Sequence, residues 1–173
     1  AVIGMGMTAI DAATQARRLG AKEVTLVYRR TQEEMPCTET ELNIAKLDGC
    51  KILWLAAPKE VTGRDGKAEQ LVCSVMELGP PDPSGRRSPV DTGETVALEV
   101  DMVIKAAGQV PFEALVKEAH LDNKSGRVVV TGSSTNIPGV FAGGDCVNGG
   151  KEVVDAVQAG KDGAAAILNY FKL

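Results

Sequence analysis

The chain has 173 residues, of which 44% are hydrophobic, 24% charged and only 3% aromatic, a balance that fits one soluble globular domain, or one domain with an appendage. Its formal net charge of -4 offers no basic footprint for nucleic acid, and no apolar run approaches the roughly 18 residues that a membrane span needs. No basic-apolar-small signal segment precedes the first strand, so a cytoplasmic protein without nucleic-acid or membrane partners is expected.

The first predicted element is the apolar strand Ala1–Gly4. A strand on the first residue reads as a chain cut within a sheet, with more sequence expected ahead of it. Thr8–Leu19 follows as a helix whose small residues Ala9, Ala12, Ala13 and Ala16 recur at helical spacing and allow close approach to a sheet, with Gly20 as its cap. Glu23–Tyr28 alternates and is β-branched, which predicts a second strand. A strand–helix–strand unit of this length demands a parallel pair joined by a right-handed crossover.

A helix is predicted over Thr38–Leu47 and a third strand over Lys51–Leu55. The period then changes: Glu60–Thr62, Gln70–Leu78 and Thr95–Glu99 read as three antiparallel strands. Between the last two, Gly79–Gly93 holds Pro80, Pro81, Pro83 and Pro89 and reads as a mobile surface loop. Asp101–Ala107 predicts a strand buried on both faces. Arg127–Thr131 and Gly139–Ala142 are short strands. The chain closes on a long helix with Val153, Val157, Gly160, Ala164, Ile167 and Phe171 along one stripe. The fold class is therefore α/β: a doubly wound parallel sheet with a three-stranded antiparallel excursion, and a tail.

The four cysteines, Cys37, Cys50, Cys73 and Cys146, form no C-x-x-C, and His120 stands beside none of them. Reduced thiols and no metal site are expected. His120 itself reads as a loop or surface residue, and Glu39 and Glu41 as charges on a helix face, the alternative being that they screen or orient Arg29 and Arg30.

Gly4-x-Gly6-x-x-Ala9 lies at the turn from the first strand into the first helix. Gly4 suits a tight turn, Gly6 close approach of a pyrophosphate, and Ala9 close packing of helix on strand, while the helix N-terminus offers N–H groups to phosphates. The alternative is a purely structural glycine turn. The spacing between a strand and a small-faced helix favours a dinucleotide, with Gly4, Met5, Gly6, Met7, Thr8 and Ala9 at the site. The second strand ends in Tyr28-Arg29-Arg30, where an NAD site usually has a carboxylate. Guanidinium forks there suit a 2′-phosphate, so NADP(H) is expected rather than NAD(H). The alternative is a solvated basic pair.

Val2-Ile3-Gly4-Met5-Gly6-Met7-Thr8-Ala9-Ile10-Asp11-Ala12-Ala13, Val24-Thr25-Leu26-Val27-Tyr28-Arg29-Arg30-Thr31 and Glu33-Glu34-Met35-Pro36 resemble the small (β) subunit of NADPH-dependent glutamate synthase. They also resemble the matching domains of dihydropyrimidine dehydrogenase. The resemblance spans essentially the whole chain, with one departure: Met7 stands where these proteins commonly carry Asn or Asp. It implies an NADPH domain inserted in an FAD domain, with an iron–sulfur segment ahead of both. Residues 1–107 would form the NADP(H)-binding domain and 108–173 the C-terminal part of the FAD domain. Ala106-Ala107-Gly108-Gln109-Val110-Pro111 would mark the crossing.

Val140-Phe141-Ala142-Gly143-Gly144-Asp145 resembles the second FAD signature, where a plain β-turn is the alternative. The resemblance puts Asp145, beside Gly144, on the ribityl chain and Lys151, Glu152 and Val153 at a helix end facing the flavin pyrimidine edge. It implies hydride transfer from NADPH to FAD without a catalytic acid or base. Electrons would then pass through iron–sulfur clusters to an acceptor such as the glutamate synthase large subunit, in glutamate biosynthesis. A reductase module serving another acceptor, of dihydropyrimidine dehydrogenase or ferredoxin type, and a non-catalytic NADP(H)-binding module stay open. The piece by itself is expected to retain no flavin, to turn over no NADPH, and to self-associate through its uncovered tail.

Overall fold

Residues 1–172 are described by a computed structural model, and their backbone falls into two units, Ala1–Gly108 and Gln109 onward. In the first unit, β1 (Val2–Ile3), β2 (Thr25–Tyr28), β3 (Lys51–Trp54) and β7 (Ile104–Lys105) form a four-stranded sheet in the order β3-β2-β1-β7. Every pair is parallel, with Val2 opposite both Leu26 and Ile104. Two helices link the first three strands: α1 (Met7–Arg18) and α2 (Glu39–Leu47). Thr38 starts α2 with a reciprocal cap: its hydroxyl accepts from the Glu41 N–H at 3.2 Å, while the Glu41 carboxylate accepts from the Thr38 N–H at 2.7 Å. This arrangement satisfies two of the free donors at a helix start.

The small face of α1 does what its spacing predicts. Ala9 and Ala13 are fully buried and pack with Val2, Leu26, Leu42 and Ala45 in one core. The opposite face of the parallel sheet is covered by an antiparallel sheet, β4 (Ala56–Arg64), β5 (Lys67–Pro81) and β6 (Arg87–Glu99), in that order. A second core lies there, built on Val27, Ala56, Leu71 and Cys73 with Ile3, Leu53 and Val96 packed around it.

Two expectations in this unit are corrected. Gly79–Gly93 is not a mobile loop: β5 and β6 run through most of it, with Leu78 opposite Pro89 and Pro81 opposite Arg87. The prolines are tolerated because β6 is an edge strand and because β4 pairs only as far as Val75, leaving the other side of β5 open beyond it. A proline's missing N–H costs no ladder bond at such positions. Nor is Asp101–Ala107 a strand buried on both faces. Only Ile104–Lys105 pairs, Lys105 is exposed and Met102 is 66% exposed, since β7 is the sheet's outer strand.

The second unit holds α3 (Glu113–Glu118), the hairpin β8 (Asn123–Lys124) and β9 (Arg127–Val128), α4 (Asp145–Asn148) and α5 (Val153–Phe171). The expected strand Gly139–Ala142 is reduced to a single bridge between Ser134 and Phe141. The local chain instead bends through hydrogen bonds from Thr135 N–H to Val140 O and from Val140 N–H to Ile137 O. The long helix stands as expected, but its inward face is the small one. Ala159, Gly163 and Ala166 are half-buried, whereas Val153, Val157, Ile167 and Phe171 are exposed. Among the described residues, no helix is long and apolar enough to cross a membrane.

Candidate functional site

The parallel sheet reverses its strand order beside β1: β2 and β3 extend to one side and β7 lies on the other. In open α/β sheets the crevice at such a reversal, outside the carboxyl ends of the strands, is where ligands bind. A hollow of about 450 Å³ lies there, within the usual range for small-molecule sites. Gly4, Met5 and Gly6 beyond β1, Tyr28, Arg29 and Arg30 at the end of β2, and Ala106, Ala107 and Gly108 beyond β7 all line it. A larger hollow of about 1170 Å³ lies at the amino ends of the same strands, against Ala1, Glu23, Thr25 and Asp101. It has neither the glycine turn nor a helix N-terminus, and we assign no role to it.

The two glycines differ in what they permit. Gly4 has φ +133°, and a Cβ there would collide with the Ala106 carbonyl oxygen and meet the Ala9 Cβ at 3.3 Å. Gly4 therefore lets β1, β7 and α1 converge. Gly6 is extended (φ -85°), and a Cβ on it would meet nothing nearer than Pro36 Cγ at 3.9 Å. The space in front of Gly6 is open for a ligand. No side chain caps α1 and its first turn holds no acidic residue, so the positive end of its dipole is unopposed there. Met7, at the first helical position, is 54% exposed and Thr8 is exposed, whereas Ala9 is fully buried and serves packing.

Glu34 and Pro36 also line the hollow, beside the glycine turn. The Tyr28 hydroxyl donates to the Glu34 carbonyl at 2.7 Å, and Cys37 N–H donates to the Met5 carbonyl at 3.2 Å. These bonds bring Pro36 over Gly6. The Glu34 carboxylate accepts from the Thr31 hydroxyl at 2.6 Å and the Thr31 N–H at 3.1 Å. The Thr31 hydroxyl is the chief reason its pKa lies below the usual glutamate range. Both bonds fall on Oε2, so Thr31 orients the carboxylate that Glu34 brings to the hollow.

The two predicted cations are not equivalent. Arg29 is exposed, and among the described residues its side chain has no hydrogen-bond or ion-pair partner. Arg30 is 8% exposed and its Nε donates to the Arg87 carbonyl at 3.2 Å. Glu39 and Glu41 do not pair with either arginine: Glu39 accepts from Gln32, and Glu41 is committed to the α2 cap. The sequence reading missed Arg86 and Pro58, which also line the hollow. Neither lies in a strand that the sequence predicts, and the expectation of a mobile loop over Gly79–Gly93 hid Arg86.

Gly144, Asp145, Lys151, Glu152 and Val153 belong to the second unit. Gly144 has φ +70° and precedes α4, which Asp145 begins. Gly143 packs closely on α5, where an added Cβ would meet the Ala159 Cβ and carbonyl oxygen at 3.3 Å. Lys151, Glu152 and Val153 are exposed at the start of α5, where the Asp155 carboxylate accepts from the Glu152 N–H at 3.2 Å. His120 lies in a turn after α3, its carbonyl accepting from Asn136 Nδ2 at 2.9 Å. All four cysteines are free, and no cluster of metal-binding side chains occurs among the described residues.

Comparison with known proteins places this geometry in context. The family pattern described as pyridine nucleotide-disulphide oxidoreductase matches residues 1–160. Similar curated proteins include the NADP(+)-dependent formate dehydrogenase subunit beta of Moorella thermoacetica, 39% identical over 99% of this chain and 25% of that protein. The glutamate synthase [NADPH] small chain of Azospirillum brasilense is 36% identical over 99% of this chain and 36% of its own length. The chain therefore spans about a quarter to a third of these relatives. Among solved structures, Lactococcus lactis thioredoxin reductase in its FR conformation superposes with a TM-score of 0.81. It is 24% identical, covering 99% of this chain and 52% of that one, a likeness of fold.

Proposed function

Because the chain belongs to the pyridine nucleotide-disulphide oxidoreductase family, we propose that its first unit binds NADP(H) in the hollow at the carboxyl ends of β1, β2 and β7. The observation that carries this reading is the open space in front of Gly6, between the uncapped start of α1 and the unpaired Arg29. In this reading the pyrophosphate lies against Gly6 and the N–H groups of Met7 and Thr8, where backbone donors and the helix dipole favour an anion. Arg29 takes the 2′-phosphate, which a guanidinium matches by charge and by fork geometry. Glu34 lies six residues past Tyr28 and is held by Thr31 through Oε2, whereas β2 itself leads into Arg29 and Arg30 where an NAD site has its acidic residue.

The relatives whose names carry NADPH or NADP(+) support the same choice. In the whole protein, NADPH and FAD together supply hydride transfer from nicotinamide to flavin. The second unit's part is to bring Gly144, Asp145 and the start of α5 to the flavin, and Ala106–Gly108 is the passage between the two binding regions. The acceptor beyond the flavin is either a glutamate synthase large subunit or, as the similarity to a formate dehydrogenase subunit favours, the partner of another reductase assembly.

Calorimetric titration tests the nucleotide assignment. NADPH is expected to bind more tightly than NADH, and Arg29→Glu to cost NADPH about 2 kcal/mol or more, the scale of a lost charged hydrogen-bonded pair. Equal affinities for the two nucleotides in the unmodified chain would overturn it.

A further inference from the structure

We infer that Arg86, on the hairpin between β5 and β6, is the second guanidinium that recognises the 2′-phosphate, and that Arg30 is the positioning residue that holds this hairpin at the site. The inference rests on the proposed NADP(H) reading. Its starting point is that Arg30, although adjacent to Arg29 and also on the hollow, is tethered to the hairpin. It is 8% exposed, and its Nε donates to the Arg87 carbonyl, which leaves its terminal nitrogens to face a ligand from a fixed position. That bond ties the end of β2 to the residue next to Arg86.

Arg86 has the opposite properties. It lines the hollow with Arg29 and is exposed, and its side chain has no hydrogen-bond or ion-pair partner among the described residues. Its backbone is nevertheless held firmly. The Asp82 carboxylate accepts from the Arg86 N–H at 3.0 Å and from Ser84 N–H and hydroxyl at 2.8 and 2.6 Å, while Asp82 N–H donates back to the Arg86 carbonyl at 2.9 Å. The three bonds to the carboxylate all fall on Oδ1 and fix the turn, while the Arg86 guanidinium makes no hydrogen bond or ion pair with Asp82 among the described residues. Next door, Arg87 is engaged by the hairpin itself, its Nε and terminal nitrogen donating to the carbonyls of Gly79 and Leu78 at 3.0 and 2.9 Å. Of the two neighbouring arginines, one locks the hairpin and the other is left for a ligand. Two guanidinium groups from different elements can grip a phosphate from two sides.

The test is a set of titrations with NADPH, NADH and 2′,5′-ADP on the unmodified chain, Arg86→Gln, Arg29→Glu and the control Arg64→Gln. Arg64 pairs with Glu69 on the antiparallel sheet, outside the hollow, and so reports the effect of removing one charge at a distance. Arg86→Gln is expected to weaken NADPH and 2′,5′-ADP roughly tenfold or more, as for a charged hydrogen bond, with NADH unchanged within twofold. Arg86→Lys should recover part of that loss. In a double-mutant cycle with Arg30→Met, the effects on NADPH should be non-additive, because Arg30 acts through the hairpin; additive effects would remove the positioning role.

Unchanged NADPH affinity in Arg86→Gln, with Arg29→Glu still impaired, would overturn the inference and leave the proposed function standing. An equal fall for NADPH and NADH would also overturn it, by moving Arg86 away from the 2′-phosphate. If the unmodified chain binds neither nucleotide, both readings fall.

Discussion

The two units bury their apolar residues very differently. Among the described residues, every buried apolar side chain except Val128 lies in the unit Ala1–Gly108. There two cores lie on opposite faces of one parallel sheet. In the second unit, α5 rests on small residues, with Gly143 against Ala159 and Gly139 against Tyr170, and keeps its larger apolar residues outside. The proposed nucleotide site stands on the well-buried unit, where backbone positions are set by packing. A phosphate site made of backbone N–H groups requires that rigidity, since a shift of the glycine turn would move every donor at once.

The largest expected contrast lies inside the first unit, between two glycines of one turn. Gly4→Ala should lose the fold's cooperative urea transition or lower its stability by about 3 kcal/mol or more. The cause is a Cβ forced against the Ala106 carbonyl at positive φ. Gly6→Val should keep the circular dichroism spectrum of the parent and lose NADPH and NADH alike, because its backbone is ordinary and only the ligand space is filled. Wild-type nucleotide affinity in a folded Gly6→Val chain would remove the glycine turn from the site.

A smaller contrast compares the units directly. Leu42→Ala empties a fully buried position and should cost about 2–5 kcal/mol. Leu168→Ala, at a position 50% exposed, should stay within about 0.5 kcal/mol. A large loss at Leu168 in denaturant titration would mean that the outer face of α5 is covered in solution.

The gentlest probe changes no residue. Burial pushes the thiols of Cys37, Cys50 and Cys73 above their ordinary value, which leaves little of the nucleophilic thiolate near neutral pH. Cys146, in the second unit, is exposed. A thiol reagent should therefore modify Cys146 alone in the native chain and all the cysteines once it is unfolded, with peptide mapping to locate the label. Rapid native labelling of Cys73 would show that the second core opens easily.

Much of the first unit could be read before its structure was known. The alanines at 9, 12, 13 and 16 announced the buried face of α1, and the change of period after Leu55 announced an antiparallel sheet. What misled was proline. Pro80, Pro81 and Pro89 signal a loop by composition, yet all three sit on β5 or β6, and only the strand order shows that they face no missing ladder bond. The same error concealed Arg86. In the second unit the apolar stripe of α5 was legible as a pattern, but its direction was not, because a period says which residues share a face and not which face meets a neighbour.

By itself, then, the sequence determined local matters: where α1 and α5 run, that β1 and β2 are parallel, and that Gly4 and Gly6 stand between a strand and a helix with arginines after the next strand. Those follow from spacing, which acts over a few residues. The tertiary structure alone decided that β7 returns beside β1 to create the reversal at which the hollow lies. It also decided that Pro36 faces Gly6, that Arg30 is tied to the Arg87 carbonyl, and that Arg86 comes from 57 residues past Arg29 to the same hollow. Such meetings are set by which surfaces bury one another, and no local pattern encodes them.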